Sequence, residues 1–143
     1  VDGPTPGFLV WRLATRWRVA VDRALLPLGL THAQYVVLSS VLDLGTTGSR
    51  PTQRELADHT GLEVIYVSKL ARSLDREGRL SREPDPDDGR AVRLSLTPAG
   101  RSVALQAVPL VRELVEGLLR PLGDRDGDFV EALRLLLAEP LGD

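Results

Sequence analysis

The most constraining feature of this chain is an abrupt change of hydrophobic period between residues 52 and 96. Through Leu74 the apolar residues recur at three- and four-residue steps, whereas Val92, Leu94 and Leu96 alternate with Arg93 and Ser95. A period near 3.6 buries one face of a helix and a period of two buries one face of a strand, so this stretch is helical first and extended afterwards. Thr52-Gln53-Arg54-Glu55 forms a capping box that opens a short helix carrying Leu56 and Ala57. Gly61 breaks that helix, and a new stripe of Val64, Val67, Leu70, Ala71 and Leu74 runs on to Gly78. Two short helices joined by a tight turn containing Gly match a helix-turn-helix.

After Gly78, Leu80, Arg82 and Pro84 lead into the charged turn Asp85-Pro86-Asp87-Asp88-Gly89-Arg90, and the alternating strand follows. Two short strands around such a turn are a β-hairpin, and directly behind a helix-turn-helix that hairpin reads as a wing. Upstream, Val10, Leu13, Ala14, Trp17, Val21, Ala24 and Leu25 mark one helix, which Pro27 and Gly29 stop. Thr31-His32-Ala33-Gln34 is another capping box, opening a helix through Val37, Leu38, Val41 and Leu42, and a turn is expected from Gly45 to Pro51. Downstream, Thr97 caps a helix with Pro98 at its first position. Its apolar residues run from Val103 to Leu122, with a kink expected at Pro109, and a last helix starts near Asp128. The expected fold is mainly α with a small β-hairpin: one domain over residues 1–143, with a winged-helix lobe at about 31–100 and flanking helices at about 8–28 and 101–139.

Bulk charge does not announce a nucleic-acid partner. The net charge is −2, and residues 50–100 hold nine basic and nine acidic side chains. A DNA-facing surface must therefore come from local placement of charge. The neutral lobe also admits a second reading, a winged-helix protein-interaction module without DNA binding. With no cysteine there is no disulfide, thiolate metal site or thiol redox switch. No stretch approaches the roughly 18 uncharged apolar residues of a membrane span, and no signal peptide is visible, so a cytoplasmic location is the default expectation.

Leu30-Thr31 with Gln34, Thr52 to Ala57, Leu74 to Gly78, Asp88-Gly89-Arg90 and Leu96-Thr97-Pro98-Ala99-Gly100 together resemble the MarR family of winged-helix regulators. The resemblance runs from about Trp11 to Leu137, and its most specific part is the wing signature Asp-x-Arg followed by Leu-Thr-x-x-Gly. It implies a sequence-specific transcriptional regulator, a repressor more often than an activator, acting as a two-fold symmetric homodimer joined by its N- and C-terminal helices. It also implies double-stranded DNA as partner, with recognition helices in successive major grooves and wings in the flanking minor grooves.

With Val67, Leu70 and Leu74 turned inward, Ile65, Tyr66, Ser68, Lys69 and Arg72 face solvent or DNA. Lys donates to guanine or phosphate and Ser to either. Val64, Ile65 and Tyr66 depart from the polar or small residues usual in the family; either Ile65 or Tyr66 packs on thymine methyls, or some of the three belong to the core and the helix phase is shifted by one. At the wing, a guanidinium suits the negative potential of a narrow minor groove. The resemblance accordingly makes Arg90 the DNA contact and Asp88 its support, the alternative being an Arg90 pair with Asp87 or Asp88. Arg54, Arg72, Arg76, Arg82 and Arg93 are candidate phosphate contacts or solvated surface groups.

Family members often release DNA when a small aromatic or anionic molecule enters a cleft beside the dimer helices. Trp11, Arg16, Trp17, His32 and Tyr35 are the candidates to line one here, the alternative being that both Trp residues anchor the core or the dimer. Asp124-Arg125-Asp126-Gly127-Asp128 has the look of a calcium loop, but its twelfth position is Leu135, not Glu. His32 and His59 lack metal-ligand partners. No nucleophile elbow, phosphate loop or dinucleotide fingerprint is present. No enzyme activity, cofactor or metal is expected.

Overall fold

The computed structural model describes residues 3–45, 48 and 50–141. The element order is α1 (Pro6–Leu25), a 3-10 turn (Leu26–Leu28), α2 (His32–Leu44), α3 (Gln53–Thr60), α4 (Val64–Arg76), β1 (Leu80–Pro84), β2 (Val92–Leu96), α5 (Pro98–Leu119), a 3-10 turn (Arg120–Arg125) and α6 (Asp126–Ala138). The chain is mainly helical with a two-stranded antiparallel hairpin, as its hydrophobic periods predict. No single helix among the described residues is long and apolar enough to cross a membrane. The turn expected over residues 45–51 lies partly outside the described residues.

Residues 1–111 form one compact unit and residues 112–143 another. The core belongs to the first. Val21 and Leu25 of α1 are buried with Val37, Leu38 and Val41 of α2, Leu56 and Ala57 of α3, and Val67, Leu70, Ala71 and Leu74 of α4. Leu80 and Leu94 contribute from the hairpin, and Val103, Ala104 and Ala107 from α5. Burying one such Leu or Val completely contributes roughly 1.5–3 kcal/mol, which is why the helical and strand stripes determine which way each element faces. The apolar stripe of α1 divides in two: its last turns enter the core, while Val10 (65%) and Trp11 (68%) are exposed.

Both expected capping boxes form. Thr31 and Gln34 exchange side-chain-to-backbone bonds of 3.1 Å each way, and the buried Gln34 amide also donates to Ser73 Oγ on α4 at 3.2 Å. Thr97 Oγ1 accepts from Gly100 N at 3.0 Å, the expected cap of α5. That helix runs as one element through Pro109 and ends at Leu119, so Leu122 falls in the following turn. The last helix starts at Asp126, two residues before the expected Asp128.

Candidate nucleic-acid interface

Helix α3 begins where its capping box predicts. Glu55 N donates to Thr52 Oγ1 at 3.0 Å and Thr52 N to Glu55 Oε2 at 3.4 Å. It ends at Gly61, whose φ of +78° is the left-handed conformation that glycine adopts without steric cost, and whose amide bonds to Ala57 O. Thr60 Oγ1 closes the turn by accepting from Leu62 N at 3.2 Å while donating to Leu56 O at 2.8 Å. The chain re-enters a helix at Val64 with the phase read from its apolar stripe. Ile65 is 70% exposed and Tyr66 44% exposed, so neither belongs to the core. Lys69 and Arg72 are not buried, and Ser68 lies among them on the same outward side. Arg72 folds back along its own helix, donating to Ser68 Oγ at 2.9 Å and to Ser68 O at 3.4 Å.

The wing is the hairpin of β1 and β2, paired from Leu80–Leu96 to Pro84–Val92. It is stitched to the start of α3 by Leu94 N donating to Pro51 O at 2.8 Å and by a bridge between Thr52 and Arg93. At its tip Asp88 Oδ1 accepts the backbone amide of Arg90 at 3.0 Å. Among the described residues the Arg90 guanidinium forms no ion pair, with Asp87, Asp88 or any other carboxylate. Arg90 and Asp88 share a groove of about 540 Å³ with Arg54 of α3 and Val64 of α4. The three elements that carry the candidate contacts therefore border one concave surface.

Arg93, a candidate phosphate contact by sequence, is committed inside the wing instead. Its Nε donates to Asp85 Oδ2 and its Nη1 to Arg50 O at 2.6 Å, and it lies 3.7 Å from Glu55 Oε1. Asp85 is only 7% exposed and accepts further bonds from Asp87 N at 2.8 Å and Asp88 N at 3.0 Å. The Asp87 amide and then the Arg93 guanidinium hold its carboxyl below the ordinary value, outweighing its burial. Arg82 reaches toward Asp75 at 4.0 Å.

A separate groove of about 470 Å³ is lined by Arg18, Asp22, Thr31, His32 and Tyr66 among others. It takes up His32 from the expected effector cluster but not Trp11, Arg16 or Tyr35. Residues two apart on a helix point about 200° apart, so Arg18 rather than Arg16 faces it, and Trp11 lies about two turns away. Trp17 meets the His32 ring edge-on at 6.4 Å. Burial lowers the His32 pKa; nearby Asp22 opposes the shift and Arg18 adds to it.

A model of the MarR family matches residues 28–91, the stretch from the end of the 3-10 turn after α1 to the residue before β2. The uncharacterized HTH-type transcriptional regulator YdcH of Bacillus subtilis is 33% identical over 138 residues, 95% of this chain and 93% of that one. The chain belongs to the MarR family. An HTH-type transcriptional repressor of Mycobacterium tuberculosis is 32% identical over 78% of this chain and 76% of its own length. Among solved structures, a mutant of E. coli MarR complexed with operator DNA superposes with a TM-score of 0.79 at 26% identity, covering 94% of this chain and 93% of that one. This chain is thus a winged-helix transcriptional regulator.

Two residues that position the site in this MarR-family chain were missed by sequence reasoning. Asp85 opens an Asp-Pro-Asp-Asp run, in which a carboxylate commonly accepts the amides two and three residues on, so a turn signal for it was present. Arg79 had none. Its guanidinium donates to Leu28 O at 3.0 Å and Gly29 O at 3.3 Å, and its carbonyl accepts from Thr97 N at 3.3 Å. It joins the α1–α2 turn, the end of α4 and the start of α5.

Proposed function

We propose that this MarR-family regulator acts in the cytoplasm as a homodimeric repressor on a pseudo-palindromic operator, with half-sites about one helical turn, roughly 10 bp, apart. The observation that carries the reading is the shared groove between Arg54, Val64 and Arg90, with Ile65 and Lys69 exposed on the helix that Val64 begins. A recognition helix in the major groove would bring Ile65, Tyr66, Ser68, Lys69 and Arg72 to base edges and phosphates, and Arg90 would enter the minor groove. The lobe's overall charge neutrality is compatible with this, because Asp85, Glu83 and Glu55 pair with Arg93 and Arg50, whereas Arg90 is unpaired among the described residues.

Exposed apolar side chains support dimerisation. Phe8 and Leu9 (51% each) join Val10 and Trp11 on α1, and on α6 Leu135, Leu136 and Leu137 are 67–83% exposed. Such surfaces on a monomer call for a partner. The groove lined by Arg18, His32 and Tyr66 is the site at which a small aromatic or anionic effector would release DNA: it offers a cation and ring faces, and Tyr66 belongs to the recognition helix itself.

The test is a mobility-shift titration with duplex from the chain's own upstream region at graded salt, together with sedimentation of the free protein. A salt-dependent, discrete shift by a dimer is expected. A stable monomer, or no shift at low ionic strength, overturns the reading.

A further inference from the structure

At the wing tip Asp88 holds the Arg90 amide, and Asp85 organises the turn before it. Asp85 Oδ1 accepts the amides of both Asp87 and Asp88, and its Oδ2 receives Arg93 Nε. The loop is closed behind it by Asp85 N donating to Ala91 O at 2.9 Å and Ala91 N donating to Asp88 O at 3.0 Å. Arg93 then carries the constraint out of the hairpin, to the Arg50 carbonyl and toward Glu55 at the start of α3. Register alone would pair Arg93 with Glu83 across the strands. Instead Glu83 is taken by Arg50, leaving Arg93 to the buried Asp85.

We propose that Asp85 and Arg93 form a clasp that pre-orders the wing tip and sets its orientation toward α3, so that both are positioning residues for DNA binding and neither touches DNA. This rests on the wing's being a DNA-binding element. The chemistry supports a clasp over direct contact. Nε and Nη1 of Arg93 are spent on protein acceptors, and a carboxylate this enclosed requires its cation. Arg93 also neutralises an acid that would otherwise repel phosphate from a wing already carrying Asp87 and Asp88.

The experiment exploits a conflict of sign. Simple electrostatics says that removing a negative charge from a DNA-facing lobe tightens binding. The clasp says the opposite: Asp85→Asn weakens duplex binding roughly tenfold, the scale of removing one charge-assisted bond. It does so with an unchanged salt slope, because every phosphate stays neutralised as before. Arg93→Lys keeps the charge but not the two-acceptor geometry, and is expected to behave the same way. Amide hydrogen exchange should show faster exchange at Asp87 and Asp88 in both variants, with Leu56 and Leu70 still protected. An Asp85→Asn protein that binds as well as the parent or better overturns the clasp. So does an Arg93→Lys protein with full affinity, or an Arg93→Gln protein whose salt slope drops by about 0.9, the mark of a residue that neutralises a phosphate. Global loss of protection in Asp85→Asn hands the decision to Arg93→Lys. A parent protein that does not bind duplex overturns the DNA-binding reading itself, and amide exchange then judges the clasp alone.

Discussion

A β-carbon on Gly100 would collide with the backbone carbonyl of Arg79, its distance to the carbonyl carbon being only 2.7 Å. The first turn of α5 therefore lies directly against the turn that leaves α4, with Thr97 Oγ1 donating to Gly78 O at 2.6 Å beside the same approach. Two backbones cannot separate as a flexible side chain could, so Gly100→Ala is expected to destabilise the lobe by about 3 kcal/mol. Urea unfolding measures it. A variant within about 0.5 kcal/mol of the parent, on the scale of an ordinary surface change, would show that the two backbones part freely.

At the wing tip the Arg90 guanidinium forms no ion pair among the described residues. Arg90→Ala should weaken binding to specific and non-specific duplexes alike and lower the salt slope by about 0.9 for every phosphate that Arg90 neutralises. A titration matching the parent at every salt concentration would remove Arg90 from the interface.

The role proposed for Ile65 is of a different kind. It is exposed in the first turn of α4, where apolar groups meet thymine methyls. Ile65→Ala is expected to reduce operator affinity about fivefold, a change of about 1 kcal/mol, with the salt slope and non-specific affinity unchanged. Equal weakening on operator and random duplex would place Ile65 outside base readout.

The pH dependence of stability should fall in two separate windows. Burial lowers the His32 pKa, so the folded state takes up its proton less readily than the unfolded chain. The contribution of neutral His32 is complete above its ordinary value of 6.5 and declines as pH falls through the lower folded value. Asp85 is also lowered, so its contribution is complete above its ordinary 3.8 and is lost only as pH falls through a still lower folded value. His32→Gln should abolish the decline just below neutrality and leave the acid limb intact. Denaturant titrations at graded pH that show an unchanged upper window in this variant would exclude His32 as its source.

Much of the site was legible because it is written locally. The caps at Thr31 and Thr52, the glycine turn at Gly61 and the inward phase of Val67, Leu70 and Leu74 each depend on residues within a turn or two of one another. The hairpin was equally plain from the alternation of Val92, Leu94 and Leu96. Long-range polar bonds were not. Arg79 reaches carbonyls 50 and 51 residues earlier in the chain, and no period or spacing encodes such a meeting. Arg93 was read as a surface cation because an exposed strand face and a clasp look alike until the fold brings Asp85, Arg50 and Glu55 around it. Of the expected effector residues the groove lined by Arg18 takes in His32 but not Arg16, because Arg16 and Arg18 share a helix but not a face.

Tyr66 has a double allegiance, standing on the outer face of α4 and in the wall of the groove that holds His32. Any molecule that enters this groove and lowers operator affinity by some factor must have its own affinity lowered by that same factor when operator is bound. Screening for such molecules is therefore best done on free protein, and the shortfall on the operator complex directly reports the strength of the switch.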